Sequence, residues 1–459
     1  MLQCQPPSKR VFVAIDQERL PEFSGSLLDW FTRNGRDLPW RHSRDPYAIW
    51  VSEIMLQQTT TETVRSYFDR FLAHFPDLFA LAQSGEESIL ALWQGLGYYR
   101  RALQMRRAAV FLVERYQGRF PQTIEELRAL PGVGRYTAGA IRSLAFDLPS
   151  PILEANTRRL YARLTALTLD ASSSAGEKIL WKFAESILPP KNGRDFTLAL
   201  MDLGATVCGA VPRCTQCPVR PFCAAAEAGN ENAFPVFPPK IAPIPRRECA
   251  FYVRCPSDGE QASDGEQISD REQSSGREQA ARYLFVRYPK HLRWGGLWDF
   301  PRFEFPVSDS PQKSAELLKK GSEFFGIQPI IAPGLWRLRH SVTRYTIELF
   351  FNPIFFTGKI TGKITGKMTG KITGERRLKQ DFWRGKEGCS IHFAGGETTF
   401  DAVEFRWLTL EQARDLAMST TGKKLLTIAA DLFTDLSPAT PRNESEQVKP
   451  PKTSRVRRI

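Results

Sequence analysis

The residues able to do chemistry in this 459-residue chain fall into three groups: two isolated carboxylates, Glu53 and Glu154, a set of four crowded cysteines, and a glycine turn. The cysteines follow the spacing Cys208-x5-Cys214-x2-Cys217-x5-Cys223. Four thiolates within sixteen positions can surround one compact centre. Without a second CxxC pair the pattern favours an iron–sulfur cluster over a zinc ribbon, with zinc as the alternative. Cys4, Cys249, Cys255 and Cys389 are scattered, so the eight cysteines do not read as a disulfide framework. The glycine turn is Leu130-Pro131-Gly132-Val133-Gly134-Arg135-Tyr136. Gly132 and Gly134 can take positive φ and leave backbone N–H groups uncovered just before a helix, a setting that favours a phosphate. A plain helix-to-helix turn is the competing reading.

The elements that must hold these groups are helices. Asp45-Pro46 reads as an N-cap followed by proline at the first helical position, which predicts a helix from Pro46 to about Thr59. Glu53 on this helix has Ile49, Trp50, Leu56 and Gln57 at spacings of three and four, so its carboxyl is expected to be sheltered. Burial without a cation raises a carboxyl pKa and suits a general acid near neutrality, against the alternative of a hydrogen-bonded glutamate at the core edge. Thr123 to Leu130 predicts the helix before the glycine turn, and another follows it. The segment Pro149 to Arg159 is a loop that enters a helix and carries Glu154. Further helical patterns run from Ser26 to about Asn34, Ser66 to His74 and Ser88 to Gln94. Between them, Gly95-Leu96-Gly97-Tyr98-Tyr99-Arg100-Arg101 breaks the period; its rings suit stacking on bases and its cations suit phosphate, or else two core tyrosines start a helix.

The formal charge of +13 and pI near 9.4 fit a polyanionic partner bound by a shaped surface. No eighteen apolar residues occur in succession and no sorting signal is evident, so the expectation is a soluble intracellular protein, which the family resemblance given below narrows to a bacterial cytoplasmic, DNA-associated one with no membrane role, and nothing suggests an obligate oligomer. Past a proline-rich linker, placed at 234–247, the pattern changes to strands at Cys249 to Cys255, Ala281 to Tyr288, Arg344 to Phe350 and Val403 to Trp407, with helices at Ser314 to Phe325, Leu410 to Met418 and Lys423 to Phe433. This is an α+β unit interrupted by two low-complexity insertions, 256–280 and 357–374, and followed by a basic tail, 437–459, expected to be disordered.

Together these motifs resemble the adenine DNA glycosylases of the MutY type, in the helix-hairpin-helix glycosylase superfamily. The resemblance rests on Leu38-Pro39-Trp40-Arg41, on Trp50 to Thr59, on Gly95 to Tyr99, on the glycine hairpin and on the cysteine cluster, and runs from about Ser24 to Phe433 apart from the insertions. It implies a multidomain protein: a flexible tail at 1–23, an all-α glycosylase domain at 24–233 with its hairpin at about 123–142 and one [4Fe–4S] cluster on Cys208, Cys214, Cys217 and Cys223, and a Nudix-like lesion-recognition domain at 248–436. It also implies hydrolysis of the N-glycosidic bond of adenine opposite 8-oxoguanine or guanine in double-stranded DNA, after the nucleotide is flipped out. By family position Glu53 protonates the base and Glu154 stabilises the sugar cation, with Tyr136 and Asn156 around it. Arg41 matches a pocket arginine; Gln57, Gln58, Thr59 and Tyr98 match the DNA-probing segments, and Gly132, Gly134 and Arg135 the hairpin. Arg339 to Arg344 matches the segment that usually ends in Phe-Ser-His; there Thr343 keeps a hydroxyl for the lesion base, while Arg344 replaces the His and suits a phosphate instead.

Tyr136 stands where bifunctional relatives carry a lysine nucleophile, and a phenol cannot form a Schiff base, so a monofunctional enzyme is expected. The chain departs from the family where Glu154-Ala155-Asn156 replaces Asp-Gly-Asn, where Leu198 replaces a frequent Gln, and where the first cysteine spacing is one residue short. Trp294 to Trp298 resembles a Nudix start, but no acidic REXXEE-type site follows, so the domain is expected to bind and not to hydrolyse nucleotides. The alternatives are a glycosylase acting on thymine opposite guanine, and a lesion-binding protein with weak turnover.

Overall fold

The computed structural model describes residues 12–239, 242–255, 282–288, 295–305, 329–331, 336–342, 344–356, 390–392, 399–401, 404–434 and 456–458. They form two compact units, Met1–Lys240 and Ile241–Ile459. The expected helix at Ser314 to Phe325, both insertions, Thr343, Trp294 and most of the basic tail lie outside the described residues.

The first unit is helical. Its helices are α1 (Leu20–Asn34), α2 (Pro46–Leu56), α3 (Thr61–His74), α4 (Leu78–Gln83), α5 (Glu86–Leu92), α6 (Arg100–Tyr116), α7 (Ile124–Ala129), α8 (Arg135–Phe146), α9 (Ala155–Leu164), α10 (Ser174–Ser186), α11 (Gly193–Thr206) and the short α12 (Ala224–Glu227). Helix α2 is the axis of the unit: Tyr47 through Met55 are all buried, and it packs on α3 and α8. A helix apolar all round has no solvent face, so a carboxylate on it is sheltered wherever it points. Its start is as expected, with the Asp45 carboxylate accepting the Tyr47 and Ala48 N–H groups at 3.0 and 3.2 Å. Its end is earlier: the chain leaves the helix at Gln57, and Gln58 takes a φ of +58°.

The first helix also starts before the expected Ser26, and residues assigned to a flexible tail are part of it. Leu20 opens α1, and Phe23 is fully buried against the edges of Phe196 and Phe222. That apolar contact orders the segment, in one core with Leu27, Trp30, Leu160, Tyr161, Phe183 and Leu203. A smaller core, Ile49, Ala140, Leu144, Ile152 and Leu198, lies where α2, α8 and α11 meet.

The second unit is α+β. Its strands are β1 (Ile244–Cys255), β2 (Arg282–Arg287), β3 (Trp298–Asp299), β4 (Arg302–Phe305), β5 (Pro329–Ile331), β6 (Trp336–Val342), β7 (Tyr345–Phe356), β8 (Ser390–His392), β9 (Thr399–Asp401), β10 (Glu404–Leu408) and β11 (Val456–Arg458). The main sheet runs in the order β10-β2-β1-β7-β6-β11, with β1 and β7 parallel and the other pairs antiparallel. β1 takes in the last residues of the segment assigned to the linker, and β11 lies within the stretch assigned to a disordered tail. Helix α13 (Thr420–Thr434) covers a core of Tyr252, Phe285, Trp298, Phe300 and Phe351 with Leu425 and Ile428. The expected helix over Leu410 to Met418 is only a 3-10 turn at Gln412–Asp415.

Candidate active site and nucleic-acid interface

Glu53 sits in the middle of α2, 4% exposed, and accepts a hydrogen bond from the Tyr136 hydroxyl at 2.6 Å. Burial pushes its carboxyl up to about 7; the Tyr136 bond pulls it down, the charge of Glu154 pushes it up and that of Arg41 pulls it down. A carboxyl raised towards neutrality can keep a proton to donate at physiological pH, which is the condition for a general acid. The phenol of Tyr136 is itself pushed well above its ordinary range by burial and by both carboxylates, so it stays a donor.

Glu154 feels the same neighbourhood, since its charge bears on Glu53, Tyr136 and Tyr161, but its setting is the reverse. It is the N-cap of α9, and its two carboxylate oxygens accept the N–H groups of Asn156 and Thr157, each at 2.8 Å. Thr157 returns the contact, its hydroxyl oxygen accepting the Glu154 N–H at 2.8 Å. The extra methylene relative to aspartate is thus taken up by folding the side chain back over its own helix. Two N–H donors and the positive end of the helix stabilise its negative charge. The sequence carries a trace of this reciprocal cap in the spacing Glu154-x-x-Thr157.

Asn156, two residues on, is held through Arg159, whose guanidinium donates to the Asn156 side-chain oxygen at 3.0 Å, to the Gly204 carbonyl at 2.6 Å and to the Cys208 carbonyl at 2.8 Å. One turn further, Arg163 donates to the carbonyls of Gly209 and Ala210 and to the Cys208 sulfur at 3.3 Å. Neither arginine stood out in the sequence. Cys208, Cys214, Cys217 and Cys223, all free thiols, line one cavity beside Arg163. Burial pushes the Cys217 and Cys223 thiols up to about 12 and 11, so as free groups they are poor nucleophiles. Among the described residues no three His, Cys, Asp or Glu groups form a site for a single ion. Four soft thiol donors lining one space are a donor set that suits a thiolate-bound metal centre.

Three expected contacts are spoken for. Arg41 does not stand free in a pocket: it makes a two-pronged pair with the fully buried Asp202, at 2.7 Å on each oxygen, and Arg36 joins the same carboxylate at 2.6 Å. Arg135 pairs with Glu185 and stacks 3.9 Å over Trp181, instead of being left for a phosphate. Arg101 points inward, not towards solvent: Nη1 donates to the carbonyls of Ile54, Met55 and Gln57 and Nη2 to those of Leu96 and Gly97. Leu198 is a buried wall of the small core against which Tyr136 packs.

Other expected residues are presented outward. Tyr98 has a φ of +48° and is 46% exposed, flanked by Gly95 and Gly97, both with positive φ. Gln57 donates to the Thr137 hydroxyl at 3.3 Å, and Thr59 to the Leu96 carbonyl at 3.3 Å, so the two probing segments are side by side. In the hairpin only Gly132 uses left-handed backbone, at φ +79°, where a β-carbon would lie 2.8 Å from that of Gln104. Gly134 has a φ of −89° and caps α8 with nothing within 4 Å of where a side chain would start, leaving the helix N-terminus open to an anion. In the second unit, Arg344 sits at the exposed turn between β6 and β7 and donates to the Tyr345 hydroxyl at 3.0 and 3.1 Å.

Comparison with known proteins gives this geometry a lineage. The model of the HhH-GPD superfamily base excision DNA repair proteins matches residues 51–186. The adenine DNA glycosylase of Buchnera aphidicola is 41% identical over 47% of this chain and 62% of its own length, and that of Homo sapiens 42% identical over 46% and 41%. The chain thus spans less than two thirds of those two relatives. The Schizosaccharomyces pombe adenine DNA glycosylase is 30% identical over 64% of this chain and 72% of its own. The chain belongs to the adenine DNA glycosylase family of the HhH-GPD superfamily.

Proposed function

We propose that the chain is a monofunctional DNA glycosylase of base excision repair that hydrolyses the N-glycosidic bond of adenine mispaired with 8-oxoguanine or guanine. The observation that carries the reading is the pairing of two unlike carboxylates beside Tyr136: Glu53, buried and near-neutral in pKa, and Glu154, held at a helix N-terminus. Glu53 gives its proton to N7 of an extruded adenine, which makes the base a better leaving group. The negative charge of Glu154 stabilises the cation that develops on the deoxyribose as the bond breaks, the two-carboxylate division of labour seen on glycosides. Both its oxygens are already hydrogen-bonded, which favours an electrostatic role over nucleophilic attack. Tyr136 holds Glu53 in place and supplies no amine, so β-lyase chemistry is absent.

Double-stranded DNA is the partner, with the open N-terminus of α8 on a phosphate and with Gln58 and Tyr98 probing the base stack. Cys208, Cys214, Cys217 and Cys223 would hold a [4Fe–4S] cluster, which supplies a structural anchor and a one-electron redox centre when bound. In the second unit, Arg344 at its exposed turn and the neighbouring Thr343 read the lesion base or its phosphate, in a Nudix-like domain that binds without hydrolysing.

The test is single-turnover base release, read as alkali-labile strand breaks, on duplexes with A opposite 8-oxoguanine, A opposite G and T opposite G. Release from the first two supports the reading, and binding without release from any duplex refutes it in favour of an inert lesion reader. Release from the T-containing duplex alone would select thymine opposite guanine as the substrate instead. Efficient borohydride trapping on an abasic product would overturn the monofunctional assignment.

A further inference from the structure

Arg101 is a half-buried cation whose two terminal nitrogens donate to carbonyls of two separate segments. Nη1 donates to the Ile54 carbonyl at 2.6 Å, to Met55 at 3.3 Å and to Gln57; Nη2 donates to Leu96 at 3.3 Å and Gly97 at 3.1 Å. The first group is the C-terminal end of α2, whose last carbonyls have no partner within the helix and carry the negative end of its dipole. The second is the loop that presents Tyr98, and the guanidinium lies 5.5 Å from the Tyr98 ring centroid. Both segments hold backbone that non-glycine residues rarely adopt, at Gln58 (φ +58°) and Tyr98 (φ +48°). Strained residues persist only where their surroundings over-determine them, and Arg101 makes most of the side-chain bonds to the flanks of both, five against the one that Thr59 makes to the Leu96 carbonyl.

We infer that Arg101 is a positioning residue that locks the Tyr98 loop to the end of α2, so that insertion of Tyr98 into a duplex and placement of the Glu53 carboxyl at the extruded base occur as one event. The inference rests on the glycosylase reading. A planar fork with five donors is suited to this work, because it reaches two segments in one plane; a lysine ammonium has three donors on one atom and cannot span them equally. The segments also line a shared cavity with Ile54, Gln57, Tyr98 and Arg101 on its wall, and the Thr59 hydroxyl adds one weaker link between them, to the Leu96 carbonyl at 3.3 Å.

The experiment compares wild type, Arg101→Lys and Arg101→Met on a duplex with A opposite 8-oxoguanine, and on one with 2-aminopurine at the target position as a fluorescent report of unstacking. Arg101→Met is expected to lose about 100-fold in single-turnover release, the size of a misplacement near 1 Å, with affinity for undamaged duplex changed less than about threefold. Its 2-aminopurine signal falls in parallel, and Arg101→Lys recovers about tenfold of the rate. A folded Arg101→Met with wild-type release and unstacking overturns the inference, as does a lowered melting temperature with both readouts intact. If Arg101→Met does not fold, Arg101→Lys is combined with Tyr98→Ala: losses smaller than the product of the two single effects support the lock, and independent effects overturn it. A wild type that unstacks 2-aminopurine but releases no base refutes the glycosylase reading while leaving the unstacking comparison able to decide on Arg101.

Discussion

The middle of α2 and the start of α9 each hold one glutamate, and the two are held in opposite ways. Glu53 is surrounded by apolar side chains with a single phenolic donor, and its carboxyl is pushed up to about 7. Glu154, within range of the same tyrosine, is wrapped by two backbone N–H groups at the positive end of a helix. On the proposed reading, identical side chains serve different ends through their places on a helix: mid-helix burial withholds solvation from a charge on Glu53, and the helix N-terminus offers N–H donors to Glu154. The charge on Glu154 in turn helps keep the proton on Glu53.

Removing the proton from this pair is expected to have the largest effect. Glu53→Gln keeps shape and burial but has no acidic proton, so base release should fall by about a thousandfold or more while duplex affinity is retained, as a filter-binding assay run beside the cleavage assay would register. Retained release would end the assignment of Glu53 as the acid. Glu154→Gln should cost about a hundredfold in release and about 1 kcal/mol in stability, because the amide keeps only one accepting oxygen for the cap. Glu154→Asp, which can cap α9 with a shorter arm, should stay within about tenfold of wild type; a loss as large as that of Glu154→Gln would mean that the site has been rebuilt around the longer side chain.

The smallest effect is on the pH profile and sharpens the comparison most. As Glu53 must be protonated to act, release should decline as pH rises through about 7. The Tyr136 hydrogen bond favours the ionised form, so Tyr136→Phe should move this alkaline limb to higher pH, and a downward shift would show that the phenol serves the neutral acid instead. The same group affects folding. The native state binds its proton more tightly than the unfolded chain between about 4.5 and 7, so Glu53 alone makes stability fall as pH rises across that window.

Much of the acid half of this site was legible from local spacing. Asp45-Pro46 marks the start of α2, and Ile49, Trp50 and Leu56 around Glu53 announce its shelter, because helix caps and faces are properties of a few adjacent residues. The contacts that depend on distant partners were not legible. Arg41 finds Asp202 across 161 positions, Arg101 turns back onto carbonyls that a sequence does not display, and Phe23 is ordered by Phe196 and Phe222. An arginine beside aromatics reads as a phosphate ligand until the fold shows which way it faces. The early end of α2 was missed for the same reason, since Gln57, Gln58 and Thr59 are compatible with a helix and are drawn out of it by Arg101 and the Leu96 carbonyl.

The closeness of Gly132 to Gln104 has a mechanical consequence. Gln104 lies one turn beyond Arg101 on α6, about 5 Å along the rod. The hairpin that offers its amides to a phosphate and the loop that offers Tyr98 to the base stack therefore rest on consecutive turns of one stiff rod. On the proposed reading, the interval between them works as a gauge cut to a fixed length, against which a duplex is tested by whether its backbone and its stacking step fit both jaws at once.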